Sequence, residues 1–388
     1  MSYVNISVLS RNPGIYVHIP FCLSKCGYCD FYSITNLSSQ CSFVNSLCEE
    51  LRLYRSLAKD YTFDTVYIGG GTPSVLKLEE LESIINTING NYSITDNSEV
   101  TIEINPGTVK YNQLKTYRQM GFNRLSIGVQ SFNDNELRFL QRAHTSSDNY
   151  KIIKNARRAG FENISIDLIY AIPFQTKNNW LKTLDQAIEL EPEHISTYNL
   201  TIEERTLFND MLNSGQILLH SNDCEAFLFS LTEQILSGRG FKHYEISNFA
   251  RSVNFISQHN TKYWDHTKYL GFGPSAHSFW GNKRYSNVPS VSAYIKKLNH
   301  SIAPIDESEV LNLQTLMFES IFLGLRTSGG VDLNIFQQRY KKDFTDLYAK
   351  PIGILTSKKL AFIQDQHFRL TQKGLLISDE IVPLFLSN

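Results

Sequence analysis

The sequence predicts an α/β fold, a partial (β/α)6 barrel followed by a smaller C-terminal α+β domain of winged-helix type. Three observations predict it. Short apolar runs of strand type recur along about the first 200 residues, helical patterns separate them, and this rhythm changes after about residue 205. Buried strands of parallel sheets are nearly continuous apolar runs, whereas helices repeat their apolar residues every three to four positions. A doubly wound sheet is the alternative topology for the same alternation.

Six strand-like runs carry the barrel prediction. They are rich in β-branched and aromatic residues, and each begins roughly 25 to 50 residues after the previous one, which suits successive βα units. The six runs are Ile15–Pro20, Thr65–Gly70, Val100–Pro106, Arg124–Gln130, Asn163–Tyr170 and His194–Leu200.

Helical patterns lie between these strands. The stretch 78–88 repeats apolar residues at helical spacing after a candidate N-cap at Ser74. A second helix is predicted to end before Gly121 and a third before Gly160, because glycine commonly follows the last turn of a helix.

The change of rhythm divides the chain into three predicted parts. Residues 1–235 form the core barrel, 236–300 a connecting strand and loop region, and 301–388 a helical, winged-helix-like domain. In the middle part "GFKHYEISNFA" predicts a strand, and in the last part "ESEVLNLQTLMFESIFLGLR" predicts a helix. A winged helix commonly binds DNA, but the net charge of -1 and the lack of a strong basic run favour a packing or lid role.

Composition limits the class of protein. Of 388 residues, 42% are hydrophobic and 19% charged, and the net charge of -1 gives no reason to expect nucleic acid or anionic membrane as a partner. No stretch approaches the roughly 18 apolar residues of a membrane span, and the N-terminus lacks the apolar run of a secretory signal. Six cysteines in so long a chain do not make a disulfide framework. We therefore expect a cytoplasmic protein whose clustered thiols serve metal or redox chemistry.

Three of the cysteines follow the first predicted strand directly, where barrel enzymes place their functional loops. Cys22, Cys26 and Cys29 have C-x3-C-x2-C spacing within "HIPFCLSKCGYCDFYS". Structural zinc and ordinary iron–sulfur clusters take four ligands, so three thiolates leave one position to be filled. Either a [4Fe–4S] cluster binds an exogenous ligand at its fourth iron, or His18 or Asp30 completes a zinc site.

This loop resembles the cluster loop of the radical S-adenosylmethionine (SAM) superfamily, including the aromatic Tyr28 before the last cysteine. The resemblance implies that Cys22, Cys26 and Cys29 hold a [4Fe–4S] cluster whose open iron is chelated by the amine and carboxylate of SAM. In that superfamily the reduced cluster splits SAM into methionine and a 5′-deoxyadenosyl radical, while the protein positions the cofactor. An electron donor is therefore implied as a partner.

Further motifs match this superfamily at the ends of the following strands. "GGGTP" after the second strand corresponds to the turn that receives the methionyl amine, and glycine allows the close approach of backbone to a ligand. Glu103 of "EINP" corresponds to the family carboxylate near SAM. The resemblance implies SAM contacts from Tyr16, Tyr28, Gly70, Gly71, Thr72, Glu103, Gln130, Arg142 and Asp167, several of them near a second SAM. From the residues alone, Arg142 and Asp167 could instead pair with each other.

Most of the chain, from about Ile15 onward, resembles the oxygen-independent coproporphyrinogen III oxidase family. That family contains porphyrinogen-oxidising enzymes and a class of HemW-type heme chaperones. Three features are typical of the chaperones. Phe31 stands where the oxidase loop has a fourth cysteine, only 21 residues precede Cys22, and "HNTKYW" (His259–Trp264) matches the pattern H-N-x-x-Y-W.

The chaperone resemblance implies heme as bound cargo and a heme-acceptor protein as partner. His259 offers a neutral imidazole, a common axial ligand of heme iron, and Tyr263 and Trp264 could stack on a porphyrin face. His266 and His277 lie nearby and compete for the ligand role. The other interpretation of His259 is that it caps or packs a helix, with Tyr263 one turn away.

The sequence thus predicts a radical-SAM-type heme chaperone that binds one cluster, SAM and heme, and that transfers heme to an acceptor. The alternative is a coproporphyrinogen III dehydrogenase-like oxidoreductase, which oxidatively decarboxylates propionates in porphyrin biosynthesis. A third hypothesis is a zinc-containing binding module without redox chemistry. One local departure from the family lies after the fifth strand, where Ala171 and Phe174 stand at positions that commonly carry glycine.

Overall fold

The structure, a computed structural model, describes residues 11–386. Predictions that concern residues 1–10, including the missing secretory signal, lie outside the described residues. The strands are β1 (Gly14–Ile19), β2 (Thr62–Gly70), β3 (Ser93–Ile104), β4 (Arg124–Gln130), β5 (Asn163–Tyr170), β6 (His194–Asn199), β7 (Lys242–Glu245), β8 (Asn248–Ala250), β9 (Tyr269–Phe272), β10 (His277–Trp280), β11 (Lys283–Asn287), β12 (Ile305–Val310), β13 (Val331–Asp332), β14 (Ala361–Gln364) and β15 (His367–Leu370).

Helices connect these strands and cover the sheet. They are α1 (Gln40–Leu53), α2 (Arg55–Ala58), α3 (Leu78–Asn91), α4 (Tyr111–Gln119), α5 (Asp134–Phe139), α6 (Ser146–Arg158), α7 (Lys177–Glu189), α8 (Leu207–Asn213), α9 (Asn222–Gly238), α10 (Gln258–Trp264), α11 (Val291–Asn299), α12 (Leu313–Gly324), α13 (Leu333–Tyr340), α14 (Phe344–Leu347), α15 (Ala349–Ser357), α16 (Gln372–Leu375) and α17 (Ser378–Ile381).

The six predicted strands form the parallel barrel wall. Strands β1 to β6 pair in parallel with their sequence neighbours, as the intervening helices require. Their side chains that point away from the barrel interior pack under the helices in one large apolar core. The prediction of an α/β partial barrel with six βα units is confirmed.

The three predicted helices are present, but the cap at Ser74 is wrong. Helix α3 begins at Leu78 with Lys77 at its N-cap. Ser74 instead lies in a short 3-10 turn, Pro73–Val75, which continues the loop after β2. Its hydroxyl bonds the Thr108 hydroxyl at 2.8 Å, a contact between two loops that sequence spacing could not predict.

The sheet extends beyond the barrel at both edges. Its order is β12-β11-β10-β9-β1-β2-β3-β4-β5-β6-β8-β7. The run "GFKHYEISNFA", predicted as one strand, forms the antiparallel pair β7 and β8, and β9 lies parallel to β1. Residue 235, the predicted boundary, falls inside α9. The predicted connecting region also contributes strands to the same sheet as the barrel.

The helix predicted from Glu307 begins later than expected. Ile305–Val310 is the edge strand β12, antiparallel to β11, and α12 starts at Leu313 after an Asn312 cap. Arg284 on β11 forms an ion pair with Glu309 across the strands at 2.6 Å. Charged side chains protect an exposed sheet edge, and pairing with β11 overrides the local helical pattern.

The C-terminal region has its own apolar core. Helices α12 to α17 surround a three-stranded sheet of order β13-β15-β14. Aromatic side chains contribute to that core beside aliphatic ones, among them Phe336, Phe344, Phe368 and Phe385. The predicted succession of helix, two strands and helix is present as α15, β14, β15 and α16. Across residues 11–386, no helix is both long and apolar enough to cross a membrane.

Candidate cluster and SAM site

The loops that follow the parallel strands surround one large cavity. Its volume is about 600 Å³, which lies within the roughly 300–1,000 Å³ of a typical ligand pocket. The predicted site residues that line it are Tyr28, Cys29, Gly70, Gly71, Thr72, Glu103, Gln130, Arg142 and Asp167. The fold therefore brings most of the predicted SAM residues to one cavity.

The cysteine loop lies at the mouth of this cavity, directly after β1. Cys22 is buried, Cys26 and Cys29 are partly exposed, and all three are free thiols. Backbone hydrogen bonds close the loop, from Ile34 N to Pro20 O at 2.7 Å and from Cys22 N to Ile34 O at 3.0 Å. The loop is thus held as a compact unit with its thiols toward the barrel.

Hydrogen-bond donors face the three sulfur atoms. The Thr72 hydroxyl donates to Cys22 Sγ at 3.5 Å, and Arg142 Nη1 donates to Cys26 Sγ at 3.3 Å. Burial raises the pKa of the Cys29 thiol, and a hydrogen bond from the backbone N–H of Phe31 opposes that shift. Donors aimed at sulfur stabilise thiolates, the form that ligates metal, so the residues present fit a cluster held by three cysteines.

His18, one of the two residues suggested as a fourth zinc ligand, makes its hydrogen bonds away from these thiols. Both ring nitrogens of His18 are engaged, with the Tyr16 hydroxyl at 3.0 Å and the Tyr32 carbonyl at 2.8 Å. Within the described part of the chain, no three His, Cys, Asp or Glu side chains are grouped to hold a single metal ion. His18 is therefore not positioned as the fourth ligand of a zinc site in this arrangement.

The glycine turn after β2 packs tightly against the cysteine loop. Gly71 N donates to Ile19 O at 2.8 Å and Thr72 N donates to Phe21 O at 2.7 Å. Gly70 has φ +109, and a Cβ at Gly71 would lie 2.7 Å from Phe21 O. Glycine is therefore required here by backbone conformation at one position and by close approach at the next.

Glu103 points from the end of β3 into the cavity beside this turn. Its Oε1 accepts a hydrogen bond from the Tyr67 hydroxyl at 2.7 Å, and its Oε2 accepts one from Gly70 N at 3.0 Å. Enclosure in the barrel raises the pKa of Glu103 to about 7, and the negative charge of Asp167 adds to the shift, against the two hydrogen bonds. A cationic amine bound beside it would favour the carboxylate form.

Arg142 and Asp167 do not pair with each other. Arg142 Nη2 bonds Asn105 Oδ1 and also the Gly128 carbonyl, the latter at 2.9 Å. Asp167 accepts from Ser196 Oγ at 2.8 Å and from Ser126 Oγ at 3.1 Å. Burial raises the pKa of Asp167. Each side chain is thus held separately in the cavity wall, and the pairing considered from the sequence is not formed.

Three residues with positive φ follow the barrel strands. Gln130, which lines the cavity, has φ 64, Ala171 has φ 58 and Phe174 has φ 68. Such left-handed conformations cost non-glycine residues on the order of 1–3 kcal/mol. This explains physically why glycine suits the positions of Ala171 and Phe174.

The His259–Trp264 motif forms α10, which packs between β2 and α12. His259 is only 1% exposed, and both of its ring nitrogens are engaged. Its Nδ1 lies 2.8 Å from Thr65 Oγ1 and its Nε2 lies 2.8 Å from the Tyr263 hydroxyl. Burial, with the nearby charge of Lys262, lowers the pKa of His259 to about 3. The imidazole is therefore neutral and packed, as the second interpretation of the motif predicted.

The remaining motif residues face in different directions. Trp264 borders a cleft between α10 and the C-terminal region that also contains Phe336 and Arg339. Asn260, by contrast, lines the barrel cavity. Tyr16, a predicted SAM contact, is not among the residues that line the cavity, and its ring centroid lies 6.1 Å from that of Tyr67. The motif thus borders both the barrel cavity and the cleft beside the C-terminal region. Asn260 and Trp264 are four residues apart, so their spacing on one helix did not by itself predict this division.

The rival histidines also have defined surroundings. His266 Nε2 lies 3.2 Å from Glu319 Oε2, and its ring stacks on Phe279. His277 lies on β10 and is exposed. Cavity residues that sequence reasoning missed include Asn105, Ser126, Ser196 and Asn260. Of these, Asn105 belongs to the motif of Glu103 and Asn260 to the motif of His259. Membership in those motifs was the sequence feature that could have predicted them as cavity residues.

A partial barrel with three thiols after β1, a glycine turn after β2 and a carboxylate ending β3 defines a protein of the radical SAM class. The family model "Radical SAM superfamily" matches residues 16–187, and "HemN C-terminal domain" matches residues 311–377. "Heme chaperone HemW" from Lactococcus lactis is 35% identical, over 98% of both chains. "Heme chaperone HemW" from Bacillus subtilis is 34% identical, over 96% of this chain and 99% of that one.

The chain therefore belongs to the HemW family within the radical SAM superfamily, which confirms the resemblance drawn from its motifs. The structure of the coproporphyrinogen III oxidase HemN from Escherichia coli has the same fold. Its TM-score is 0.84, at 24% identity, and the match covers 98% of this chain and 92% of that one. This likeness extends through the C-terminal region.

Proposed function

We propose that this protein is a heme chaperone of the radical SAM type, which binds a [4Fe–4S] cluster, SAM and heme and passes heme to an acceptor protein. The observation that carries the proposal is the 35% identity to a HemW heme chaperone over 98% of both chains. The exposed side chain of Phe31, at the position of the oxidase's fourth loop cysteine, supports the chaperone class.

Cys22, Cys26 and Cys29 would hold the cluster, which supplies, when bound and reduced, an electron for the cleavage of SAM. The Gly70–Thr72 turn and Glu103 would bind the methionyl amine, because a backbone turn and a carboxylate converge there. The hydrogen bonds from Tyr67 and Gly70 hold the Glu103 carboxylate in place before SAM binds. The carboxylate therefore needs little reorganisation when the methionyl amine binds beside it.

The other proposed SAM contacts divide by position. Tyr28, Gln130, Arg142 and Asp167 line the cavity and stand where they would contact a bound SAM, or a second one. Tyr16 does not line the cavity, and its ring centroid lies 6.1 Å from that of Tyr67, the tyrosine that donates to Glu103. Aromatic contacts of this kind fix the position of the tyrosine that orients the carboxylate.

For heme, we propose the α10 motif as the contact region, with His259 as ligand once the Tyr263 hydroxyl releases Nε2. The neutral state of His259 suits a metal ligand, because a protonated imidazole cannot ligate iron. Trp264 would contact the porphyrin from the cleft beside α10. The exposed His277 is the rival ligand, since it needs no rearrangement to reach iron.

The proposed setting is the cytoplasm, where a reduced cluster and free thiols are maintained. The partners we propose are an electron donor for the cluster and a heme-acceptor protein. The C-terminal region is proposed as a packing or lid element rather than a nucleic-acid-binding domain, because the net charge of the chain is -1.

Anaerobic reconstitution followed by two parallel assays tests the proposal. The reconstituted protein is titrated with heme and, separately, incubated with coproporphyrinogen III, SAM and a reductant. We expect stoichiometric heme binding, transfer of that heme to an apo-hemoprotein, and no porphyrinogen turnover. Multiple turnovers from coproporphyrinogen to protoporphyrinogen would establish the alternative, an oxygen-independent coproporphyrinogen III oxidase.

A further inference from the structure

Asn105 connects two of the donors that face the cluster cysteines. Its Nδ2 donates to Thr72 Oγ1 at 2.9 Å, and its Oδ1 accepts from Arg142 Nη2. Thr72 in turn donates to Cys22 Sγ, and Arg142 Nη1 donates to Cys26 Sγ. One amide thus stands at the centre of a hydrogen-bond chain that ends on two thiols of the cysteine loop.

The amide determines where the Thr72 proton points. A hydroxyl has one proton to donate and lone pairs to accept with. Because Asn105 Nδ2 donates to Thr72 Oγ1, the Thr72 proton is left for Cys22 Sγ. A carboxylate or an inverted amide at this position would accept the Thr72 proton and turn it away from the sulfur.

The other end of the amide sets the plane of the Arg142 guanidinium. Asn105 Oδ1 and the Gly128 carbonyl both accept from Nη2, which leaves Nη1 directed at Cys26 Sγ. A guanidinium is planar, so fixing one nitrogen fixes the direction of the other. Asn105 therefore orients a charged donor at one end and a neutral donor at the other.

The backbone around Asn105 holds the amide in place. The Asn105 carbonyl accepts from Thr108 N at 3.2 Å and from Thr108 Oγ1 at 2.6 Å. A Cβ at Gly128 would lie 2.7 Å from Asn105 Oδ1, so the glycine on the neighbouring strand makes room for the amide. These contacts prepare the chain of donors before any ligand binds.

We propose that Asn105 is a positioning residue for the cluster, which orients Thr72 and Arg142 as hydrogen-bond donors to two of its thiolates and thereby raises its reduction potential. The reduced cluster carries one more negative charge than the oxidised one, and hydrogen bonds to the thiolate sulfurs stabilise that charge. The inference rests on the proposed cluster binding by Cys22, Cys26 and Cys29.

The test is a redox titration of the reconstituted cluster, monitored by EPR. SAM is left out, so that the measured potential does not depend on SAM cleavage. The variants are Asn105→Leu, which keeps the volume but has neither donor nor acceptor, and Thr72→Val, which removes only the hydroxyl. Thr101→Val is the matched control, on strand β3, which ends just before Asn105. Thr101 is 0% exposed, and its hydroxyl has no hydrogen-bond partner among the described residues.

Full iron content is required before potentials are compared. We expect Asn105→Leu and Thr72→Val each to shift the one-electron reduction equilibrium roughly tenfold toward the oxidised cluster, which corresponds to about 59 mV more negative. Thr101→Val should leave the potential unchanged. In the double variant the effect of Thr72→Val should shrink, because the hydroxyl has already lost its orientation.

An Asn105→Leu protein with a full cluster and the wild-type potential would overturn the inference. If that variant does not fold, the potential of Thr72→Val is the deciding measurement. An unchanged potential in Thr72→Val would show that the hydrogen bond to Cys22 has no effect on the cluster, and would overturn the proposal. Failure of the wild-type protein to take up iron would instead overturn the proposed cluster binding, so the two failures are distinguishable.

Discussion

The hydroxyl of Tyr67 donates a 2.7 Å hydrogen bond to Oε1 of Glu103, from one barrel strand to the next. Burial in the barrel raises the pKa of Glu103, whereas the hydrogen bonds from Tyr67 and the Gly70 N–H lower it. Burial has the larger effect, so the pKa rises to about 7. Burial and the same carboxylate raise the pKa of Tyr67 well above its ordinary value, so the phenol stays the donor. Near neutral pH the carboxyl group of the ligand-free protein is therefore partly protonated.

Glu103 should make SAM binding depend on pH. The amine N–H groups of SAM donate to the carboxylate form of Glu103, so affinity should rise from pH 6 to pH 8, by up to about tenfold per unit below the pKa. Glu103→Gln should remove this rise and weaken binding at pH 8 by about 1–3 kcal/mol. Equilibrium dialysis under anaerobic conditions measures both. Asp167→Asn keeps Glu103 but removes the negative charge that adds to its raised pKa, so the rise should persist and move to lower pH; an unchanged pH dependence in Glu103→Gln would exclude Glu103 as its source.

The three loop cysteines should each be required for the cluster. Replacement of Cys22, Cys26 or Cys29 by Ser removes a thiolate and should abolish most of the iron and the visible absorption after reconstitution. Cys41→Ser is the matched control, because Cys41 is an exposed free thiol on α1. Iron and sulfide analysis checks the result. A triple Cys→Ser protein with full iron content would contradict the assignment.

His259 should contribute to stability as well as to heme binding. His259→Ala leaves the Thr65 and Tyr263 hydroxyls without their partner in a buried site, which should lower the free energy of unfolding by about 1–3 kcal/mol. As the proposed iron ligand, its loss should also change the spectrum of bound heme. Denaturant unfolding and heme titration measure the two effects.

Tyr263→Phe is the informative companion variant. It frees Nε2 of His259 without removing the imidazole, so heme ligation by His259 should persist or tighten. If His259→Ala leaves the heme spectrum unchanged while His277→Ala alters it, the exposed histidine is the ligand and the α10 proposal is wrong.

Glu50 should make the stability of the fold depend on pH. This buried carboxylate accepts hydrogen bonds from Tyr294 Oη at 2.5 Å, Gly273 N at 2.8 Å and Asn287 Nδ2 at 2.7 Å. Burial raises the pKa of Glu50 to about 7, against these three bonds. At a pH between the ordinary pKa of a glutamate and about 7, Glu50 keeps its proton in the folded protein but loses it in the unfolded chain. Its contribution to stability is therefore full at low pH and falls as pH rises through this window.

Glu50→Gln should reduce that slope by up to about 1.4 kcal/mol per pH unit. It should also destabilise the protein by about 1–3 kcal/mol, because the new amide N–H₂ faces donors. Glu49→Gln, on the same helix but exposed, is the matched control and should change neither. Unfolding midpoints from pH 5.5 to 7.5 check both; an unaltered slope would show that other buried carboxyls, such as Glu103 and Glu245, carry the dependence.

The outline of the barrel and the position of its site were predictable from the sequence because both depend on local patterns. The strands Arg124–Gln130 and Asn163–Tyr170 form at their predicted bounds, since short runs rich in β-branched residues favour buried strands of a parallel sheet. Cys22, the Gly70 turn and Glu103 follow successive strands, and parallel strands bring their C-terminal ends to the same face.

Partners distant in sequence were decided only by the tertiary structure. Asn105 meets Arg142 across 37 residues, and His259 meets Thr65 across 194, so no spacing rule connects either pair. The edge strand Ile305–Val310 likewise has a helical local pattern but gains a ladder from β11. Local patterns determine where strands and loops occur, whereas the direction of each buried donor depends on which acceptors the packed fold places beside it.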